Sequence, residues 1–355
     1  MMKREKNGAS PPATVDLMAL AECVERFSGK SVVLLADFVA DAFQSGDITR
    51  VSREAPVLIL RHRETHLVPG GGANAASNFV ALGAKVFPIT AVGDDAAGDW
   101  LLNTFSEKGV KLSGILRVRG WTTPMKTRFL AGWAHTVGQQ VLRVDYEPNH
   151  PLPESARKKI KAILAAKLSH ADALAVSDYG FGVTNPQEVH NALLRVRRKF
   201  PVTLDSRFRL TAYRQAGITA ATPNEPEMEA LHHTAIGQNL EELERCGRAT
   251  LAEMRLEALV VTRGRDGMAV FQRGQTTAHL PVHGSDQAVD VTGAGDTVLA
   301  AYTLGLASGA SPLEAAHIAN IAGGLVAMKR GTATVSREEL QNAIRDAASG
   351  QPADP

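Results

Sequence analysis

The stretch Asp290-Val291-Thr292-Gly293-Ala294-Gly295-Asp296-Thr297 leads into an apolar run over 298–306. Small residues at Gly293, Ala294 and Gly295 let a ligand approach the backbone, and a helix starting there adds the positive end of its dipole. That is an anion cradle. A carboxylate at Asp296 would repel a bound phosphate unless it takes a proton from an attacking hydroxyl, so the pairing predicts a general base beside a phosphoryl group. Taken alone, Asp296 also fits an ordinary first-turn acid of a helix.

Other residues point to the same chemistry less sharply. Pro69-Gly70-Gly71-Gly72-Ala73-Asn74 brings a polar ligand close to the backbone, with Asn74 offering donor and acceptor to a sugar hydroxyl; helix packing alone also explains the glycines. Asn224 and Glu227, in Thr222-Pro223-Asn224-Glu225-Pro226-Glu227, share a helix face and suit Mg²⁺ through retained waters; their spacing also matches a capping box, which is favoured on sequence alone. Thr262, Gly264 and Gly267 form a turn after an apolar strand, compatible with a nucleotide edge or a plain hairpin. Lys126, Arg128 and Arg143 alternate on strand-like segments and can meet a substrate phosphate or simply face water. Asp37 and Asp41 follow the first strand, and Asp205 ends a later one, where carboxyl ends of parallel strands face the ligand crevice.

These residues need a scaffold. Short apolar runs at 32–36, 86–92, 173–176, 202–204 and 258–262 alternate with helical patterns over 73–82, 153–168, 186–199 and 240–254. Such alternation predicts an α/β fold with a mainly parallel sheet and helices on both faces. Two segments break it: 48–65 reads as two short strands around 52–56, and 125–146 as a hairpin bending at Gly138. They predict a small inserted sheet, at about 42–66 and 124–147, serving as a lid or a dimer edge.

The 355 residues are 44% hydrophobic and 21% charged, with 39 Lys+Arg against 37 Asp+Glu. Wholesale disorder is excluded, and no basic excess calls for nucleic acid. Cys23 and Cys246 cannot build a disulfide framework, which fits a cytoplasmic setting. The apolar runs at 298–310 and 318–328 are too short to span a bilayer and read as buried helices. Residues 1–14 and 350–355 read as loose ends without a signal sequence.

Together the motifs resemble the PfkB (ribokinase-like) carbohydrate kinases over about 30–339. DVTGAGDT resembles the family's C-terminal signature, PGGGANAASN its N-terminal Gly-Gly motif and TPNEPEME its Asn-x-x-Glu motif. Within the family the chain is most similar to the D-glycero-D-manno-heptose 7-phosphate kinases. Arg50–Val57, Gln139–Asp145, Val176–Tyr179 and Gly331–Ser336 carry that likeness. Ala36, Phe43 and Phe181 stand where that group has Gly, Tyr and Lys, and Asp205-Ser206-Arg207 replaces its Asp-Pro-Lys.

The resemblance implies a single ribokinase-like domain transferring the γ-phosphoryl of ATP, with Mg²⁺; it leaves open whether a monovalent cation sits near the Asp290 loop. It implies Asp296 as base, amides of Gly293–Gly295 on the phosphoryl group, and Asn224 and Glu227 on Mg²⁺. It places Asp37, Asp41, Gly71, Gly72, Asn74, Lys126, Arg128 and Arg143 on the sugar, and Asn224, Thr262, Gly264, Gly267 and Asn320 near the nucleotide. A homodimer through the lid is expected, and no nucleotidyltransferase module with His-x-x-His. A kinase for an unphosphorylated sugar or nucleoside, and a non-catalytic sugar-binding protein, remain the alternatives.

Overall fold

The computed structural model describes residues 15–132, 138–197, 199–284, 289–329 and 331–349; the expected loose ends at 1–14 and 350–355 lie outside them. In chain order the strands are β1 (Ser31–Ala36), β2 (Phe38–Val51), β3 (Leu58–Gly71), β4 (Lys85–Gly93), β5 (Ile115–Val118) and β6 (Met125–Gly132). They continue as β7 (Gln139–Tyr146), β8 (Ala173–Asp178), β9 (Val202–Ser206), β10 (Ala220–Ala221), β11 (Ala258–Thr262), β12 (Met268–Gln272) and β13 (Ala278–Leu280).

The main sheet has the order β13-β12-β11-β10-β9-β8-β1-β4-β5. Neighbours are parallel from β10–β11 across to β4–β5, and only β12 and β13 join antiparallel. Strand β1 is apolar on both faces because both are covered: Val32, Leu34 and Ala36 enter one core, Val33 and Leu35 the other. The first core is closed by helices that include Gly72–Ala81, Ala294–Ala307 and Pro312–Ala327, the second by Glu154–Lys167, Pro186–Leu193 and Leu240–Glu253. The chain steps from β1 to β4 on one side, and β8 docks on the other. The order therefore reverses at β1, which opens a crevice at the carboxyl ends of β1, β8 and β9.

A second sheet, β3-β2-β6-β7, stands off this end. Its strands are longer than the sequence implies. β2 and β3 are 14 residues each and turn at 52–57, where the Ser52 N–H donates to Val57 O at 2.8 Å. The inner end of β2 belongs to the core, with Phe38, Val39, Ala40 and Ala42 buried, so the lid is continuous with β1 through Asp37. β3 returns through Gly70 and Gly71 straight into the helix Gly72–Ala81. Among the described residues no helix is long and apolar enough to cross a membrane.

Candidate active site

The helix Ala294–Ala307 starts at Gly293, whose φ of 82° is left-handed, and a Cβ there would lie 2.5 Å from Asn74 Nδ2. Glycine is required twice over. Three residues on, Asp296 is 4% exposed. Its Oδ2 accepts from Asn74 Nδ2 at 3.0 Å, and its Oδ1 accepts from the Tyr179 hydroxyl at 3.1 Å. Asn74 is fixed in turn. Its amide also donates to Gly293 O, its side-chain and backbone oxygens accept from Asn78 Nδ2, and Asn78 accepts from Thr297 Oγ1.

Burial pushes the Asp296 carboxyl up to about 7, against the opposing pull of the Asn74 and Tyr179 hydrogen bonds; Asp41 raises it further and Lys126 lowers it. A carboxylate titrating near neutrality is suited to take and return a proton.

A cavity of about 860 Å³ opens between the lid and the carboxyl ends of β8, β9 and β11, a size ordinary for a small-molecule site. Asp41, Gly71, Lys126, Arg128, Asn224, Glu227, Thr262, Gly264, Gly267, Gly293–Asp296 and Asn320 line it. Four expected sugar contacts do not. Asp37 is fully buried, and its oxygens accept from the backbone N–H groups of Tyr179, Phe181 and Val183. Burial, and then the nearby Asp178, raise its carboxyl to about 6. Asn74 is taken up in orienting Asp296. Gly72 serves close packing, since a Cβ would sit 2.4 Å from Ala36 Cβ. Arg143 is exposed and clamps Asp145 through both Nε and an Nη.

The cations rearrange accordingly. Arg128 pairs with Asp41 at 2.8 Å, both largely shielded, and lies over the Phe43 ring, so its charge is already balanced. Lys126 lies 5.2 Å from the Tyr179 ring centre, and burial followed by the charge of Arg207 holds its ammonium below the usual range. Arg207 also lines the cavity and makes no ion pair with another described residue. Lys126 and Arg207 thus line the same cavity, close enough for the charge of one to act on the other. In the sequence Arg207 stood out only as a replacement in a motif and Tyr179 only as the end of the Val176–Tyr179 likeness, neither with a role in the site. The available signal for both was their position just beyond or at the ends of neighbouring parallel strands.

At the other end, Asn224 and Glu227 form a complete capping box. Asn224 Oδ1 accepts from the Glu227 N–H at 2.9 Å, and Glu227 Oε2 accepts from the Asn224 N–H at 3.0 Å. The capping reading is therefore correct, and both residues still line the cavity. Asp205 faces them, its carboxyl raised well above the usual range by burial, then by the charges of Glu227, Asp296 and Asp178. Mutually repelling carboxylates beside an amide oxygen form a donor set that a hard divalent cation would relieve. Among the described residues no three His, Cys, Asp or Glu side chains converge on one point. A Cβ on Gly295 would meet only Asp205 Oδ2, at 4.0 Å, leaving the helix start open for phosphate. Gly267 is needed for packing, its φ of 77° bringing it beneath Leu280 O, and Asn320 Nδ2 donates to Pro281 O at 2.7 Å. The Asp290 carboxylate accepts from the N–H groups of Thr292 and Gly331, tying two loops together.

A profile described as pfkB family carbohydrate kinase matches residues 45–339. Among curated proteins, the bifunctional protein HldE of Mesorhizobium japonicum is 38% identical over 328 residues, covering 92% of this chain and 64% of that protein. HldE of Geobacter metallireducens is 38% identical over 312 residues, covering 87% and 62% respectively. The chain thus spans less than two thirds of the length of these relatives. Among solved structures, Arabidopsis thaliana ribokinase complexed with ribose and ATP aligns at a TM-score of 0.69 and 18% identity, over 90% of this chain and 99% of that one. Escherichia coli phosphofructokinase-2 in complex with fructose-6-phosphate aligns at 0.71 and 19% identity, over 89% and 98%. Likeness at these identities establishes the ribokinase-like fold.

Proposed function

This chain belongs to the pfkB family of carbohydrate kinases, and on that premise we propose that it phosphorylates a sugar phosphate at the expense of ATP, with D-glycero-D-manno-heptose 7-phosphate as acceptor and the 1,7-bisphosphate as product. The observation that carries the reaction type is Asp296, a buried carboxylate held near neutrality at the mouth of an N-terminal anion cradle. Asp296 takes the proton of the attacking hydroxyl. The amides at Gly293, Ala294 and Gly295 face the phosphoryl group being transferred. Asn224, Glu227 and Asp205 would hold Mg²⁺, which would supply positive charge to offset that of the phosphates. A monovalent cation beside the Asp290 loop belongs to the same reading. So does a homodimer through the lid edge β7, where Val141, Leu142 and Tyr146 are about half exposed; sedimentation equilibrium reads that assembly directly.

For the acceptor, the support is the residue-level likeness to the heptose 7-phosphate kinases together with Lys126 and Arg207 lining one cavity. A kinase for an unphosphorylated sugar is the competing reading, favoured by the Asp41–Arg128 pair and by Phe181. The test is ADP release from Mg-ATP across paired sugars and sugar phosphates, run in K⁺ and in Li⁺. The phosphorylated partner should be preferred, and Arg207→Gln should lower its kcat/KM by about 10- to 100-fold while sparing the unphosphorylated sugar. Arg128→Gln should matter less for that preference. Equal kcat/KM within each wild-type pair turns the assignment over to the unphosphorylated-sugar kinase.

A further inference from the structure

We propose that Tyr179 is the positioning residue of the Asp296 carboxylate, and that the buried Asp37 holds Tyr179 in place. The proposal rests on Asp296 being the base. Each Asp296 oxygen has two lone-pair directions; Asn74 takes one on Oδ2 and Tyr179 one on Oδ1. The carboxylate is thereby held at two points, with acceptor capacity left toward the cavity.

Tyr179 has its own clamp. It begins the loop that follows β8, and the backbone N–H groups of Tyr179, Phe181 and Val183 all donate to Asp37, at 3.0, 3.1 and 3.0 Å. The N–H of Gly180 donates to Asp178, which itself accepts from Arg209, Tyr213 and Ser206. Two buried carboxylates from adjacent strand ends therefore hold a loop too short to have regular structure. On its other side the Tyr179 ring meets the lid: Lys126 of β6 lies over it, and Gly71 leaves it room, since a Cβ there would come within 3.3 Å of Tyr179 Cε2. One side chain touches the lid, the glycine turn and the base.

The hydroxyl bond favours the ionised form of Asp296 and so opposes burial. The charged groups acting on Asp296 are Asp41 of β2, which favours protonation, and Lys126 of β6, which disfavours it; the charge of Asp296 in turn helps to raise the carboxyl of Asp205 of β9. Asn74, from the helix Gly72–Ala81, supplies the second neutral donor.

The test is the titration of Asp296 by NMR of carboxyl-¹³C-labelled aspartate in the 355-residue chain, with the resonance assigned by its loss in Asp296→Asn. Tyr179→Phe should raise the midpoint by about one pH unit. With an active acceptor, turnover should fall about 5-fold at pH 7, recover to within about 2-fold at pH 9, and leave the KM for ATP nearly unchanged. Asp37→Asn should move the midpoint the same way by a smaller amount. An unmoved midpoint in Tyr179→Phe, or turnover reduced equally at every pH, overturns the positioning role; an unmoved midpoint in Asp37→Asn alone overturns the clamp. Because the titration needs no substrate, a protein that phosphorylates nothing in the panel refutes the kinase reading without touching this result.

Discussion

Asp296 combines two opposed demands: burial drives its carboxyl toward protonation, while two hydrogen-bond donors keep it ionisable near neutral pH. A group so placed is a base only if its charge is used. Replacing it with Asn preserves size and polarity but removes the proton acceptor. Turnover of Asp296→Asn should therefore fall by roughly 10²–10⁴, while nucleotide affinity measured by calorimetry changes little. Near-normal turnover in the folded variant would exclude the role. Asn74 shows what packing adds to residue type. Its amide and acyl oxygen suit a sugar, yet both are occupied within the protein by Asp296, Gly293 and Asn78.

The helix Glu225–His232 illustrates the scale above. Its capping box places Glu227 at the cavity wall, so one side chain serves the helix terminus with Oε2 and faces the proposed metal with its charge. Glu227→Gln keeps a carbonyl oxygen for the Asn224 N–H and loses the charge. The Mg²⁺ concentration for half-maximal activity should rise several-fold while the melting temperature holds, because a cap contributes about 1 kcal/mol and is mostly retained. A drop in melting temperature with unchanged Mg²⁺ dependence would leave the residue as a cap alone. The lid obeys a related logic. Arg128 reaches Asp41 from the neighbouring strand and is neutralised there, whereas Arg207, beyond β9, is left to face the cavity.

For the molecule as a whole, the site is a source of instability. The folded Asp296 carboxyl lies near 7 and that of Asp37 near 6, both above the value of 3.8 for the free group. The folded state therefore binds these protons more tightly than the unfolded chain. Their effect on stability is neutral below about pH 4 and becomes a growing penalty as pH rises to about 7, after which it is constant. Asp296→Asn removes one such penalty. Urea unfolding should find the variant equal to the wild type near pH 4 and more stable by on the order of 2–4 kcal/mol at pH 8. A difference that does not change with pH would mean that burial does not set this carboxyl's proton affinity.

From its sequence alone, this protein declares the pieces whose chemistry is local. The cradle and base fall within Asp290–Thr297, and the cap with two of the three proposed metal donors within Asn224–Glu227, so the geometry of each follows from how a single helix begins. The alternation of apolar runs likewise fixes a parallel sheet, because strands buried on both faces must be apolar throughout. The tertiary structure alone decided which polar groups remain available. Asp37 and Asp41 read alike in the sequence, both acids following a strand. One is enclosed by N–H groups from a loop some 142–146 positions away, and the other meets an arginine 87 positions away at the cavity edge. A buried polar group takes whatever partner the packing brings to it, and no spacing along the chain encodes that partner.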